Sequence, residues 1–206
     1  MYLMFYNMFT GIIQSIGILK EKHEEKKHVV FEIEDALMYS QVQEGSSVAV
    51  SGVCLTVKEK KEDQKSLVFD IMPETIKKTT LQDIKIGQQV NLEPGLKIGD
   101  ELGGHLVYGH VTAVAEVIKK ETQDTSVLLT LTLDSASMRY IVSEGSVTIN
   151  GVSLTVARVE ENDFTVSLVA YTLEHTTLSN LEEGNSVNIE VDMMAKYVEK
   201  LLEPIK

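Results

Sequence analysis

The chain has 206 residues, 43% hydrophobic and 24% charged, a globular balance that leaves room for one large β domain or two of about 100 residues. Its net charge of −12 and pI near 4.9 argue against a surface that follows a phosphate backbone, so no nucleic-acid partner is expected. One cysteine excludes an internal disulfide framework, and no apolar run approaches the roughly 18 residues of a membrane-spanning helix, so a soluble cytoplasmic protein with no membrane partner is expected.

The opening MYLMFYNMF is apolar, but it carries no basic stretch and no cleavage signal, and it is too short to cross a bilayer. Further on, DALMYSQV (35–42) begins with an aspartate suited to cap a short helix. The runs SVAV (47–50), VCLTV (53–57), LVFDI (67–71) and VNLE (90–93) alternate apolar and polar residues, as strands do. Between them KEKKEDQKSLV (58–68) reads as a charged hairpin loop. The stretch GGHLVYGHV (103–111) follows, then the strand SVLLTLTL (126–133) and a second aspartate-capped helix in DSASMRYIV (134–142).

At this point the chain begins to repeat itself. GVCLTV (52–57) returns as GVSLTV (151–156), 99 residues on, with one letter changed. SVAVSGVCLTV (47–57) lies over SVTINGVSLTV (146–156), and the segment 69–93 lies over 164–190. The openings align more loosely, FTGII (9–13) over VTAVA (111–115). Two similar halves follow, each rich in short strands, which predicts a small antiparallel barrel per half. In the tail, Met193/Met194, Tyr197/Val198 and Leu201/Leu202 recur at helical spacing before Pro204. That stripe either covers its own barrel or joins copies of the chain.

Strand periodicity puts Val53, Leu55 and Val57 on one face and Cys54 and Thr56 on the other; Ser153 and Thr155 repeat the polar face in the second half. Both halves therefore show a small polar face at the place where cysteine and serine alternate. His105 and His110 have opposite parity on a strand and do not converge on a metal; His105 reads as a hydrogen-bonded core residue and His110 as the one that reaches a ligand. Asp192 has Gly95 as its counterpart, so only one half supplies a carboxylate there; it either caps the terminal helix or enters a site.

Taken together, MFTGII, GVCLTV, PETIKKTTL, VNLE, GGHLVYGHV, GVSLTV and VNIEVD resemble, in order, the riboflavin synthase family of alpha-chain type. The resemblance covers nearly everything from Met8 to the terminal helix. It implies a mainly β protein of two similar six-stranded antiparallel β-barrels, at 8–97 and 98–190, with an N-terminal extension at 1–7 and a C-terminal helix at 191–206 that joins three chains. It also implies a transferase of riboflavin biosynthesis. Two molecules of 6,7-dimethyl-8-ribityllumazine dismutate, one giving a four-carbon unit to the other, to yield riboflavin and 5-amino-6-ribitylamino-uracil. No cofactor or metal is implied; the implied partners are the lumazine substrate, the riboflavin product, a homotrimer and an association with lumazine synthase.

Carried over residue by residue, the first-half pocket takes Gly11, Ile12, Ile13, Ser47, Cys54, Leu55, Thr56, Asp70, Ile71, Met72, Pro73, Glu74 and Thr75. The second-half pocket takes Gly109, His110, Val111, Glu144, Ser153, Leu154, Thr155, Ser167, Leu168, Val169, Ala170, Tyr171 and Thr172. Cys54, His110, Ser153 and Asp192 are the candidate catalytic residues. Three features depart from the family pattern: Ala170 and Tyr171 stand for a proline and glutamate, Glu144 for a lysine, and MYLMFYN precedes the usual starting methionine. Two alternatives stay open, a lumazine- or flavin-binding antenna protein that does not catalyse, and a β-barrel scaffold.

Overall fold

A computed structural model of the protein describes residues 8–202. The extension at 1–7 and Pro204 lie outside the described residues. The first barrel is built from β1 (Ser15–Glu24), β2 (Val29–Glu34), β3 (Ser47–Val50), β4 (Val53–Lys61), β5 (Ser66–Ile71) and β6 (Gln89–Pro94). The second is built from β7 (Ala113–Gln123), β8 (Ser126–Thr132), β9 (Ser146–Ile149), β10 (Val152–Val159), β11 (Asp163–Val169) and β12 (Ser186–Val191). Each closes on itself in the same order, β1-β2-β5-β4-β3-β6 and its counterpart β7-β8-β11-β10-β9-β12.

Alternation explains the closure. In β4 the inward Val53, Leu55 and Val57 are buried, while Cys54 is intermediate and Thr56 exposed; β10 repeats the pattern. Closing six short strands requires local bending, and bulges supply it at matching places, after Leu19 and Val57 in one barrel and after Val117 and Val156 in the other. Phe31 and Phe69 fill the first core; Leu129 and Phe164 fill the second. The segment read as a charged loop is mostly strand: β4 runs past the bulge after Val57 to Lys61 and β5 starts at Ser66, because Glu59, Lys60 and Lys61 pair with Val68, Leu67 and Ser66.

Short helices punctuate the barrels. Asp35 caps α1 (Ala36–Gln41) through the Met38 N–H, and Asp134 caps α3 (Ser135–Met138) through the Ser137 N–H, as expected of their sequences. At matching places after β5 and β11 lie α2 (Pro73–Lys77) and α4 (Ala170–His175). The chain ends in α5 (Met193–Leu202), which carries no buried residue. No helix among the described residues is long and apolar enough to cross a membrane.

The barrels meet along a polar seam. Asn91 of β6 donates to the Asn150 carbonyl at 2.9 Å and accepts from the Thr177 N–H at 2.8 Å. Its counterpart Asn188 of β12 donates to the Ser51 carbonyl at 2.9 Å and accepts from the Thr80 N–H at 2.8 Å. Between these pairs the two loops touch at glycine. A Cβ on Gly52 would lie 2.7 Å from the Gly151 nitrogen, and one on Gly151 would lie 2.8 Å from that of Gly52.

Gly45 provides the control for this contact, since its φ of +84° resembles the +80° of Gly52 but nothing lies within 4 Å of its missing Cβ. Gly45→Ala is expected to cost about 1–2 kcal/mol, the left-handed backbone penalty alone. Gly52→Ala is expected to cost more, because backbone must also move; urea unfolding of both variants measures the difference.

Candidate functional site

The polar faces of the two barrels are built alike. In the first, Ser47 pairs with Thr56 and Ala49 with Cys54; in the second, Ser146 pairs with Thr155 and Thr148 with Ser153. Each face is then covered by a segment that arrives from the other repeat. The Ser153 N–H donates to the Gly11 carbonyl at 2.8 Å, and the Cys54 N–H to the Gly109 carbonyl at 2.9 Å. A Cβ on Gly11 or on Gly109 would lie 2.6 Å from the facing Cβ, so only glycine permits the approach.

This crossing places the opening segments against the opposite barrels. Gly11 lies against Ser153 and Ile13 packs on the second core, so the opening segment, with Ile12, serves the second barrel rather than the first. Gly109 lies against Cys54 and Val111 packs on the first core, so that segment, with His110, serves the first barrel. The loose alignment of the openings also changes. Phe9 bridges Val107, and Gly11 and Gly109 make equivalent contacts, so FTGII lies over VYGHV (107–111) rather than over VTAVA.

A buried glutamate in each barrel holds the crossing. Glu93 of β6 accepts from the Thr10 N–H at 2.6 Å, the Thr10 hydroxyl at 2.8 Å and the Gly11 N–H at 3.0 Å. Glu190 of β12 accepts from the Tyr108 N–H at 2.8 Å and the His110 N–H at 3.0 Å. Burial pushes both carboxyls above the usual carboxylate range, and the donors pull only part of the way back. Neither glutamate was singled out from sequence. The signal was present in VNLE and VNIE, where a polar residue occupies the outward place of a strand twice in each repeat.

The remaining predicted residues divide by orientation. Leu55, Ile71, Leu154 and Leu168 point into the cores and can offer a ligand only main-chain groups. Asp70 lies outward on β5, bonded to Lys58 at 2.8 Å and beside His28 at 3.2 Å; its counterpart Ser167 is exposed. Met72 and Val169 are exposed and lead into α2 and α4, which carry Pro73, Glu74 and Thr75, and Ala170, Tyr171 and Thr172. The departure from the family pattern at Ala170 and Tyr171 therefore leaves the helix in place. Glu144 is exposed in the turn before β9, with φ of 64°.

Of the candidate catalytic residues, Cys54 lies on the polar face of the first barrel with His110 in the segment that crosses it, and Ser153 lies on the polar face of the second. Asp192 caps α5 through the Met194 N–H at 2.9 Å, and its charge also acts on His105. His105 was read as a hydrogen-bonded histidine; its Nδ1 lies 2.8 Å from the Ser153 hydroxyl. No group of histidine, cysteine, aspartate and glutamate suited to a metal ion occurs among the described residues. A cavity of about 810 Å³ where the barrels meet is lined by residues such as Ser51, Thr80, Asn150 and Thr177, and by none of the predicted site residues.

On each polar face, main-chain groups at a glycine lie against the strand that carries Cys54 and Thr56 or Ser153 and Thr155, and a short helix follows the neighbouring strand. Comparison with known proteins bears on the two repeats. The family model described as "Lumazine binding domain" matches residues 10–94 and again 108–192. Riboflavin synthase of Photobacterium phosphoreum is 41% identical over 95% of this chain and 89% of its own. That of Bacillus subtilis (strain 168) is 37% identical over 95% of this chain and 90% of its own. Among solved structures, LumP complexed with riboflavin superposes with a TM-score of 0.82 at 27% identity, covering 89% of this chain and 98% of LumP.

The glutamate clamps make a pH-dependent prediction. A carboxyl whose folded value is raised contributes stability that is complete below its unfolded value and is lost as pH rises through the folded one. Glu93→Gln cannot titrate and turns an amide donor toward donors, a loss of about 1–3 kcal/mol. The stability difference between wild type and this variant is expected to shrink as pH rises above the ordinary carboxylate range, measured by urea unfolding.

Proposed function

The chain belongs to the riboflavin synthase family of paired lumazine binding domains, and from that premise we propose that it dismutates two molecules of 6,7-dimethyl-8-ribityllumazine to riboflavin and 5-amino-6-ribitylamino-uracil. The observation that carries the reading is the pair of matched frames, Cys54 under Gly109 and Ser153 under Gly11, alike in backbone and different at the side chain. A reaction between two identical molecules in different roles needs this: two pockets of one shape with unlike reacting groups.

In the first site, Cys54, Thr56, Asp70, the Met72–Thr75 run and Gly109–Val111 surround one ligand. In the second, Ser153, Thr155, Ser167, the Val169–Thr172 run and Gly11–Ile13 surround the other, with Asp192 nearby. Much of the rate comes from holding two rings stacked and aligned, an entropic task worth up to several kcal/mol. The 7-methyl group of the lumazine is acidic because its anion is delocalised, so a modest base suffices, and exposed His110 is placed to serve. A nucleophile, water or a side chain such as Cys54 or Ser153, adds at carbon 7 of the partner molecule.

The reaction requires the first and second sites to meet. The exposed stripe of α5 supplies the means: Met194, Tyr197, Val198, Leu201 and Leu202 are all more than half exposed. Its inner side is tied down by the pair Arg139–Glu199 at 2.5 Å and by Lys196 on Thr112 at 3.1 Å, which leaves the stripe facing outward. Three chains joined through α5 would bring the first site of one against the second site of its neighbour. A single cysteine suits the reducing cytosol in which such an enzyme would act.

Incubation with 6,7-dimethyl-8-ribityllumazine and no added cofactor is expected to give riboflavin at half the molar amount of lumazine consumed, followed by absorbance and fluorescence. Binding without turnover would overturn the reading in favour of an antenna protein. Cys54→Ser is expected to lower turnover about tenfold and leave the fold intact. Leu201→Glu with Leu202→Glu is expected to give a monomer, by light scattering, that binds lumazine and turns over poorly.

A further inference from the structure

His28 and Lys58 have no part in the function proposed above, yet both lie against a residue that does, Asp70. Nε2 of His28 is 3.2 Å from Asp70 Oδ1 and 3.3 Å from Glu25 Oε2, and the nitrogen is buried from solvent. Nζ of Lys58 donates to the same Asp70 oxygen, Oδ1, at 2.8 Å. His28 ends the turn between β1 and β2, which the Glu25 N–H closes by donating to the His28 carbonyl at 2.8 Å. Three parts of the first barrel, this turn, β4 and β5, therefore meet at one carboxylate oxygen.

Strand register places the cluster and shows that it is one-sided. Val57 pairs with Phe69, both buried in the core, so Thr56 and Asp70 are the next residues out along β4 and β5, on the opposite face. The cluster thus continues the polar face of Cys54 and Thr56. In the second barrel Val156 pairs with Val166 in the same way, and Leu128 pairs with Ser167 as Val30 does with Asp70. Carried along these registers and those of β1 and β7, Glu25, His28, Lys58 and Asp70 correspond to Gln123, Ser126, Ala157 and Ser167. None of these four can ionise, so the charges belong to one polar face alone.

We propose that His28 is a positioning residue of the first site: with Lys58 it holds Asp70 through Oδ1, so that Oδ2 stands as a fixed acceptor beside Thr56 for a hydroxyl or ring N–H of the ligand. Neither contact involves Oδ2. The Lys58 side chain is 45% exposed and by itself would make a mobile, salt-screened pair, whereas that of His28 is 19% exposed and is the rigid partner. A carboxylate held in advance pays less ordering cost when the ligand arrives. The first site therefore selects a ligand edge that donates hydrogen bonds, while Ser167 at the equivalent place both donates and accepts.

Titration of the full-length protein with riboflavin, read by its fluorescence, tests this. His28→Ser is expected to raise Kd about five- to tenfold. His28→Gln, whose amide N–H can stand where the ring N–H did, should restore most of the affinity. Asp70→Ser should weaken binding at least as much as His28→Ser, and adding His28→Ser to it should change Kd less than about twofold, since nothing is left to position. Unchanged binding in His28→Ser, equal loss in His28→Gln, or a His28 effect that persists without Asp70 overturns the proposal. Lumiflavin, with a methyl group in place of the ribityl chain, locates the contact: a loss with riboflavin alone assigns it to a hydroxyl, a loss with both to a ring N–H. The choice of ligand rests on the riboflavin synthase reading. If the wild type binds without turnover, the enzyme reading falls while the pair of single and double variants still decides the role of His28. With turnover, the His28→Ser loss should appear in KM, with kcat changed less than about threefold. A wild type that does not bind riboflavin overturns both.

Discussion

The constraint on which this structure depends is the crossing of the two opening segments. Each is gripped by a buried glutamate of its own barrel, Glu93 or Glu190, and each then gives a glycine carbonyl to the strand of the other. The grip is polar and deeply desolvated, so it is strong only when every donor is met. Gly11 and Gly109 follow from it, since a side chain at either would strike the strand it must join. So does the make-up of the sites, for neither polar face is complete without a segment from the other repeat.

Duplication explains the economy of this arrangement. One backbone frame, used twice, gives two places of the same shape, and substitutions within it can then separate their chemistry without disturbing the fold. The halves diverge where the frame tolerates change. Cys54 and Ser153 differ by one atom of the side chain. Asp70, with Lys58 and His28 around it, has only Ser167 as its counterpart, and Asp192 answers to Gly95. The seam residues diverge little: Asn91 and Asn188 make the same pair of bonds at the same lengths, each satisfying two backbone groups where the barrels meet.

Much of this was legible in the sequence. Alternation located β3 and the inner part of β4, and aspartates marked the starts of α1 and α3, because strand faces and helix caps are set by neighbours in the chain. The repeat itself gave the two barrels. What periodicity could not supply was partnership. It states that Cys54 faces away from its core, but not that Gly109 would lie over it, a contact 55 residues distant. For the same reason the contact of each opening segment with the other barrel was not foreseen, and the openings were aligned at 111–115 instead of 107–111. The charged stretch at 58–68 was read as loop because alternation stops at the bulge after Val57, and the pairing with β5 that carries β4 on to Lys61 leaves no such mark in the sequence.

The most direct test of the crossing is a crystal structure of the protein with 6,7-dimethyl-8-ribityllumazine bound. A ligand on the face of Cys54 and Thr56 should touch Gly109, His110 and Val111, and a ligand on the face of Ser153 and Thr155 should touch Gly11, Ile12 and Ile13. A first-barrel ligand held by Gly11–Ile13 of its own repeat would contradict the account, since the crossing would then play no part in building the sites.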